Sequence, residues 1–428
     1  MTRRQFLRSM AGAAGCALLP PAFAFPATSP SFQLSRGDEA FLDELERRGC
    51  QYYWEQASAR TGQVLDRARH DLDGARDPRR MASIAATGFG LTALCIADSR
   101  GYLPHSQVLE RVRNTLHWHL NEMPEVHGFF YHFTDFETGV RWARSEVSSI
   151  DTSILLCGML TAKAYFDDPQ VTYLADQIYQ RVDWPWLLNG GSTFSMGWMP
   201  EFGFLLHRWD HYCELMMIYL LAIGSPSRPV SPELWRNFTR PVIHFEGYDY
   251  ISGNDPIFTH QYSHAWFDFR DKRDAYTDYF ENSAIATLAH RAFCLSRPGW
   301  FNRDYWGVTA SDSIGGYTGW GGPPAMGPLD GSVVPSAAAG SLPFVPVDCL
   351  TVLRAMKKKW GSRAWTRYGF VDAFHPAAGW YDPDVLGIDQ GISVLMAENL
   401  RSGFVWRAFM ANSAPAQAMS LVGFRREA

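Results

Sequence analysis

Residues 151–166 read DTSILLCGMLTAKAYF, and this stretch decides the fold class of the chain. It opens with an acidic residue and then continues with almost no polar residue on any side. A helix that is apolar all round is a buried helix, and no strand-like alternation interrupts the run. The stretch therefore predicts a helix inside the core of an α-helical domain.

Five further stretches have the same character, and each starts with a small or polar residue. They are GFGLTALCIA from Gly88, ELMMIYLLAIG from Glu214, NSAIATLAHRAFC from Asn282, GSLPFVPVDCLTVLRAM from Gly340 and DQGISVLMAENL from Asp389. The starts recur at steps of roughly 60 residues, which leaves room in each step for one further helix and a long loop.

Amphipathic partners for these helices occur at residues 39–56, 106–120 and, more weakly, 171–182. Six inner helices inside an outer ring of six make an (α/α)6 barrel, with long aromatic loops over one face. An irregular all-α bundle is the alternative, whereas a parallel α/β fold lacks its strands. We predict a single barrel domain over residues 37–428, preceded by a flexible segment at 25–36.

The composition is that of a packed globular protein with an unusual share of aromatic side chains. Hydrophobic residues make up 46%, charged residues 19% and aromatic residues 14%. The formal net charge of -5 provides no basic surface for nucleic acid. Tryptophan is a good platform for flat ligands with apolar faces, such as sugar rings. We therefore expect a carbohydrate ligand, no nucleic acid partner and a monomer.

The first 24 residues are predicted to be an export signal. The run TRRQFLR (residues 2–8) resembles a twin-arginine motif, and an apolar run and the small-x-small pattern Ala22-Phe23-Ala24 follow it. The apolar run is too short to span a bilayer, and no later stretch could do so. We expect a Tat-exported protein that is periplasmic or secreted. Its six cysteines after Cys16 are expected to be mostly buried thiols, with one disulfide possible.

Acidic residues at the starts of the apolar stretches are the first candidates for chemistry. Asp151, Glu214 and Asp389 occupy equivalent places in three of the six repeats. Aspartate is a common helix N-cap, so capping is an equally good interpretation of Asp151 and Asp389. Glu214 is different, because glutamate is a poor N-cap and the following LMMIYLLAIG would desolvate it. A raised pKa would suit a general acid, and two carboxylates are the basic equipment of glycoside hydrolysis.

Two histidine pairs at i, i+4 spacing and one glycine-rich segment are weaker signals. The pairs His207/His211 and His260/His264 would each share a helix face, but neither has the glutamate of a zinc-binding H-E-x-x-H motif. Pocket-lining or surface positions explain them more simply. The glycines between Gly315 and Gly322 follow no predicted strand and no Lys-Ser/Thr closes them, so a phosphate loop is disfavoured.

Several long blocks resemble the glycoamylase-like domain, in the glycoside hydrolase group of bacterial β-1,2-glucanases. The likeness covers residues 41–424. The blocks are SEVSSIDTSILLCG, YCELMMIYLLAIGSP, FTHQYSHAWFDFRDKRDAYTDYFENSAIATLAHRAFC, WGVTASDSIGGYTGWGGPP, DGSVVPSAAAGSLPFVP, YGFVDAF and IDQG.

The resemblance implies an (α/α)6 barrel, no metal or organic cofactor, and inverting hydrolysis of β-1,2-glucan or its oligosaccharides. It implies that Glu214 is the general acid and Asp389 the general base, acting directly on water or through a substrate hydroxyl. Substrate-binding positions implied by the matching blocks are Glu146, Asp151, His260, Tyr262, Asp312 and Trp320.

The sequence departs from the family pattern at two positions. Cys213 stands where a serine is expected before the acid, and Asp271 stands where glycine is usual. Alternative functions are a transglycosylase or a hydrolase of another β-glucan on the same barrel, and a non-catalytic glycan-binding envelope protein. Retention of both Glu214 and Asp389 argues against the non-catalytic alternative.

Overall fold

The structure is a computed structural model that describes residues 32–72, 76–323 and 329–426. The predicted export signal at residues 1–24 and most of the flexible segment at 25–36 lie outside these residues. The described part of the chain is α-helical. Its helices are α1 (Arg36–Glu55), α2 (Ile84–Ser99), α3 (His105–Asn121), α4 (Ser149–Phe166), α5 (Pro169–Arg181), α6 (Trp184–Leu188), α7 (Met216–Ile223), α8 (Tyr262–Trp266), α9 (Tyr279–Leu295), α10 (Pro335–Ala339), α11 (Pro346–Trp360), α12 (Gly387–Arg401), α13 (Phe404–Met410) and α14 (Ser413–Leu421).

Helices α2, α4, α7 and α12 form the centre of the core and are buried along most of their lengths. Helix α2 packs against α1, α4 and α12. Glycines permit the tightest of these contacts: a Cβ on Gly88 of α2 would lie 2.5 Å from the Ile154 carbonyl oxygen. A Cβ on Gly158 of α4 would lie 2.1 Å from the Gly88 carbonyl oxygen. The two backbones therefore touch without intervening side chains.

We expect Gly88→Ala to lower the free energy of unfolding by about 2–3 kcal/mol, because the added methyl group must push α2 away from α4. Chemical denaturation of the variant measures this change. Gly299→Ala is the matched control, since a Cβ at Gly299 meets nothing within 4 Å. Equal stabilities of the two variants would contradict the close approach of the α2 and α4 backbones.

Amphipathic helices surround this centre. In α3 the buried residues include Val108, Val112, Leu116 and His119, which lie on one helix face, and α3 and α4 both pack against α5. Helices α1, α5 and α11 likewise bury one face. The predicted alternation of buried and amphipathic helices is therefore present over α1 to α5. From Ser35 onward the described residues form one compact unit.

Short strands fill the loops between the helices, and all their pairings are antiparallel. The strands are β1 (Val64–Leu65), β2 (Arg67–Arg69), β3 (Met81–Ser83), β4 (Glu125–Val126), β5 (Phe129–Phe130), β6 (Phe133–Asp135), β7 (Val147–Ser148), β8 (Phe194–Ser195), β9 (Gly197–Met199), β10 (Gly203–Phe204), β11 (Arg208–Trp209), β12 (Val242–Phe245), β13 (Tyr248–Ile251), β14 (Lys272–Arg273), β15 (Ala310–Ser311), β16 (Thr318–Gly319), β17 (Trp365–Thr366), β18 (Gly369–Phe370), β19 (Phe374–His375), β20 (Trp380–Tyr381), β21 (Asp384–Leu386) and β22 (Arg425–Arg426). Two sheets have three strands, ordered β1-β3-β6 and β10-β9-β7, and the rest are pairs.

Three of these strands run directly into buried helices: β3 into α2, β7 into α4 and β21 into α12. Asp151 and Asp389 are each the third residue of the helix that follows. Because a strand fixes the direction in which its helix begins, the two carboxyl groups are held at defined places at the helix N-termini. The positive end of the helix dipole also favours an anionic side chain there.

Two sequence predictions about local structure are wrong. The apolar stretch from Gly340 is not one helix: α10 ends at Ala339, and α11 begins only at Pro346, since proline interrupts a helix interior but fits its first turn. His207 and His211 do not share a helix face, because they flank strand β11.

The six cysteines after Cys16 are all free and buried. No helix among the described residues is long and apolar enough to span a membrane. Asp271, where glycine is usual, has φ +55° on an exposed turn before β14. Glycine adopts this left-handed conformation without a steric penalty. The substitution therefore places strain in a surface turn that does not line the cavity described below.

Candidate active site

A cavity of about 500 Å³ opens where the buried helices α4, α7 and α12 begin. This size is typical of a pocket for a small molecule or part of an oligomer. The helix starts contribute Ile150, Asp151, Ile154, Glu214, Leu386 and Ile388. The remaining lining residues come from the strands and loops: Asp66, Arg67, Met81, Ser83, His132, Phe133, Phe258, Tyr262, Ala310 and Tyr317.

Glu214 lies just before α7, with its side chain partly exposed to the cavity. The Ser263 hydroxyl donates a hydrogen bond of 2.7 Å to its backbone carbonyl, which ties this segment to α8. Burial raises the pKa of Glu214 to about 7, and the nearby negative charges of Asp255 and Asp151 add to the rise. Its protonated form is therefore well populated near neutral pH, as a general acid requires.

Cys213 is buried next to Glu214, and the interaction of its thiol with the carboxylate lowers the pKa of Glu214 and so partly offsets the effect of burial. This is the position where serine is expected in the family. A thiol is a weak donor compared with a hydroxyl. The departure from the family pattern therefore leaves the charged form of Glu214 with less stabilisation than a serine would give.

We expect Cys213→Ser to lower the pKa of Glu214 by less than about one unit, because a hydroxyl stabilises the carboxylate more strongly. The alkaline limb of the pH profile of kcat/KM should move to lower pH by that amount. Cys157→Ser is a matched control, since Cys157 is buried in the middle of α4. An alkaline limb that stays in place or moves to higher pH would contradict the contact.

Asp151 and Glu146 are brought together by His132, which the sequence analysis did not single out. His132 Nδ1 lies 3.0 Å from Glu146 Oε1, and His132 Nε2 lies 3.5 Å from Asp151 Oδ2. Burial opposes protonation of His132, but Asp151 and Glu146 outweigh it and raise its pKa to about 9. Conversely, burial raises the pKa of Asp151. The N-cap of α4 is Ser148, whose hydroxyl also donates to Asp151 Oδ2 at 2.5 Å, so Asp151 is not the capping residue.

Asp389 is 4% exposed and lies behind the cavity wall rather than in its lining. The Ser336 hydroxyl donates to its Oδ1 at 3.2 Å, and the neighbouring side chain of Asp372 lowers the pKa of Asp389. Burial raises the pKa of Asp389 to about 6. Its charge acts on the phenols of Tyr262 and Tyr317, which both line the cavity.

Arg67 pairs with two further carboxylates, of which Asp66 lines the cavity and the predicted residue Asp312 does not. Its guanidinium lies 3.0 Å from Asp66 Oδ2 and 2.5 Å from Asp312 Oδ2. Of these three residues only Asp312 was predicted. Strand β2 carries Arg67 and pairs with β21, which leads into α12. This pairing places the arginine beside the N-terminus of the helix that bears Asp389.

Of the remaining predicted residues, Tyr262 lines the cavity and Trp320 does not. Tyr262 lines the cavity, where its ring contacts Phe89 and Phe258. Trp320 is buried beneath the β15–β16 hairpin, and its Nε1 donates to Ser311 Oγ at 3.1 Å. Tyr317 on the same hairpin lines the cavity instead.

His260 does not reach this cavity. It ends a 3-10 helix (Ile257–His260), and the chain turns at Gln261 before α8 begins, so that His260 and Tyr262 face different sides. His260 lines a separate small cavity with Tyr250 and His290. Burial lowers the pKa of His260 to about 3, so its imidazole is neutral there.

Two clusters of described residues have ligand atoms close enough together to be considered for a metal ion: His132 with Glu146 and Asp151, and Asp312 with Asp382 and Asp384. In the first cluster the histidine pairs with both carboxylates. In the second, Arg67 binds Asp312, and Arg79 binds Asp384 at 2.7 Å. Because protein cations already pair with every carboxylate of the two clusters except Asp382, we assign a metal ion to neither cluster.

The helical core and the carboxyl-lined cavity are those of an α-helical glycoside hydrolase fold. Residues 206–413 match the model of the glycoamylase family, which carries the description "putative glucoamylase". The family resemblance inferred from the sequence is thereby confirmed.

Characterised relatives share this fold. The chain is 27% identical over 421 residues to an exo β-1,2-glucooligosaccharide sophorohydrolase (non-reducing end) from Parabacteroides distasonis, covering 88% of this chain and 56% of that protein. The chain thus spans little more than half the length of that relative. An endo-β-1,2-glucanase from Chitinophaga pinensis, solved with sophorotriose and glucose, matches with a TM-score of 0.83 and 26% identity over 92% of this chain and 99% of that one. A β-1,2-glucanase from Parabacteroides distasonis matches with a TM-score of 0.83 and 25% identity over 92% of this chain and 60% of that one.

Proposed function

We propose that this chain is an exported glycoside hydrolase that cleaves β-1,2-glucan or its oligosaccharides with inversion of configuration. The observation that carries the proposal is Glu214, a carboxyl group with a raised pKa on the wall of a cavity. Asp389 is a second buried carboxyl group, and its charge acts on two tyrosines of the same cavity lining. A desolvated acid is costly to a protein that only binds sugars, whereas a hydrolase needs it.

The substrate class is proposed from the relatives and is compatible with the lining of the cavity. Similar proteins act on β-1,2-glucans or their oligosaccharides. The cavity offers aromatic faces at Phe133, Phe258, Tyr262 and Tyr317 and charged groups at Asp151 and Arg67. Aromatic faces pack against the C–H faces of sugar rings, and the polar groups can bind ring hydroxyls.

In the proposed reaction, Glu214 donates its proton to the glycosidic oxygen as the bond from this oxygen to the anomeric carbon breaks. A water molecule attacks the anomeric carbon from the opposite face and loses a proton to Asp389. Asp389 receives this proton directly or through a substrate hydroxyl, since its side chain is not among the residues that line the cavity. One such displacement inverts the anomeric centre. Glu214 and Asp389 then exchange protons with solvent to restore their starting states.

The helices that supply these groups are proposed to belong to an (α/α)6 barrel. The alternation of buried and amphipathic helices from α1 to α5 supports this arrangement, as does the convergence of helix starts at one cavity. The loops over this face carry the short hairpins that add Arg67, His132 and Tyr317 to the wall.

The pH profile of kcat/KM on β-1,2-glucan is expected to be bell-shaped with a maximum between about pH 6 and 7. Activity should rise as Asp389 loses its proton near 6 and fall as Glu214 loses its proton near 7. Initial rates of reducing-end release from pH 4 to 9 measure it. Activity that stays constant from pH 6 to 9 would contradict a general acid with the pKa of Glu214.

Export is proposed on the twin-arginine motif at Arg3 and Arg4. Substituting both by lysine should retain the protein in the cytoplasm of an expressing bacterium with a Tat system, as cell fractionation would measure. Unchanged export of the double variant would overturn this part of the proposal.

A further inference from the structure

Asp372 is a buried carboxyl group that neither the sequence analysis nor the proposed reaction accounts for. It lies between strands β18 and β19 and is 3% exposed. Its Oδ2 accepts a hydrogen bond of 2.7 Å from the backbone N–H of Asp312. Its Oδ1 has no donor among the described residues.

Asp389, like Asp372, has one carboxylate oxygen without a hydrogen-bond donor. Its Oδ1 accepts from Ser336, but its Oδ2 is buried and has no N–H or O–H donor in the described part of the chain. The two carboxyl groups nevertheless lie within side-chain hydrogen-bond distance of each other. A buried acceptor without a donor costs about 1–3 kcal/mol, and two adjacent buried carboxylates would repel each other as well. One proton held between the two groups removes both penalties.

We propose that Asp372 and Asp389 share one proton, and that Asp372 thereby acts as the positioning residue of the base Asp389. The role of Asp372 in catalysis rests on the proposed function. The shared proton does not depend on it. Asp372 carries the proton and donates it to Asp389 Oδ2. Asp389 is consequently an oriented carboxylate in the resting state.

The surroundings of this pair favour such an arrangement. Arg67 is connected to the pair through Asp312, whose backbone N–H donates to Asp372. Arg67 is already paired with both Asp66 and Asp312. The negative charges of Asp66 and Asp312 raise the pKa of Asp389. The other titratable groups whose charges act on or respond to the pair are Tyr53, Tyr262, Tyr317 and Asp382. Since Arg67 is shared among carboxylates, a second full negative charge at the pair would be poorly compensated. Burial and the charge of Asp389 together raise the pKa of Asp372 well above its usual range.

The proton balance of the reaction follows from this assignment. Asp389 takes one proton from the attacking water while Asp372 keeps its own, so the pair passes from one proton to two. After product leaves, the pair releases one proton to solvent and Glu214 takes one up. The donor from Asp372 also holds Asp389 in one orientation, because the hydrogen bond fixes the plane of the carboxylate.

The test is the direction in which Asp372→Asn moves the acidic limb of kcat/KM against pH. If Asp372 donates a proton to Asp389, the weaker amide donor stabilises the carboxylate less. The limb should then move to higher pH by about half a unit or more. If both groups are ionised in the wild type, removing one charge should move the limb to lower pH. A downward shift or an unchanged limb would overturn the proposal.

Infrared titration provides a second readout that does not depend on activity. At pH 9, Glu214, Asp382 and Asp389 should be ionised, with pKa values of about 7, 7 and 6. Burial raises the pKa of Glu46 well above its usual range, so its carboxyl group contributes a constant carbonyl-stretch band at this pH. We expect the wild type to show a second band, from the proton held by Asp372, and Asp372→Asn and Asp389→Asn to lose this second band. Asp382→Asn, which alters another buried carboxyl with an unpartnered oxygen, should retain it.

Absence of the second band from the wild type would contradict the shared proton even if the enzyme hydrolyses β-1,2-glucan. A band that behaves as expected in a protein inactive on this glucan would leave the shared proton intact and reject the proposed function. The two failures are therefore distinguishable.

Discussion

Replacing Glu214 by glutamine is expected to lower kcat on linear β-1,2-glucan by about 10²–10⁴-fold, the usual contribution of a positioned general acid. Glutamine has nearly the same shape and can still hydrogen-bond the glycosidic oxygen, but it has no proton to transfer. Binding should change little, so the loss should fall on kcat more than on KM. Reducing-end assays with purified variants measure both parameters.

A substrate with a good leaving group provides the control for this variant. A nitrophenyl β-sophoroside releases a stable phenolate that needs no protonation, so Glu214→Gln should hydrolyse it at a rate within roughly tenfold of the parent. Glu201→Gln is the matched surface substitution, since Glu201 is exposed and pairs with Arg141. A Glu214→Gln variant with near-parental turnover on the glucan would remove Glu214 from the role of acid.

Replacing Asp389 by asparagine is expected to cause a loss of similar size, about 10²–10⁴-fold in kcat, because no group would then accept the proton of the attacking water. Unlike Glu214→Gln, this variant should be equally impaired on the nitrophenyl substrate, since water attack is needed whatever the leaving group. The contrast between the two variants on the two substrates separates the acid from the base.

Rescue by azide is a second test of Asp389 as the general base. It is a small nucleophile that needs no deprotonation, and it should restore turnover of the nitrophenyl substrate in Asp389→Asn by forming an α-glycosyl azide. Asp176→Asn, at a surface ion pair with Lys163, is the matched control and should keep parental activity. Full activity of Asp389→Asn without azide would assign the base to another residue.

Much of the helical core could be predicted from the sequence, because burial on all sides leaves a clear composition signal. The stretches that became α2, α4, α7 and α12 are rich in apolar residues and buried at most positions. The stretch from Gly340 was wrongly predicted to be one helix, because its composition is apolar too. Only its prolines mark the break between α10 and α11.

Within the site, Glu214 could be predicted from the sequence, because the apolar residues that desolvate it follow it directly in the chain. Arg67, His132 and Asp372 were not, since each lies in or beside a strand of only two or three residues. Their placement depends on pairing with distant segments, as in the pairing of Arg67 with Leu386. Such short strands have too few residues for a periodic pattern. The available signal for Asp372 was its place in the block YGFVDAF, which resembles the family pattern.

The position of His260 shows a related limit of spacing arguments. The i, i+4 spacing to His264 suggested one shared face, but a 3-10 helix and the helix α8 divide the pair at Gln261. The spacing alone does not reveal such a change of direction. Tyr262, two residues later, is the side chain that this turn brings to the cavity.

Hydrolysis with inversion can be observed by proton NMR of linear β-1,2-glucan during the first minutes of digestion by the purified protein. We expect new reducing ends that appear first as the α-anomer and then mutarotate, with Glu214→Gln giving none over the same period. New ends that appear first as the β-anomer would contradict inversion. No new ends at all, from protein that is folded and monodisperse, would contradict hydrolysis of this glucan.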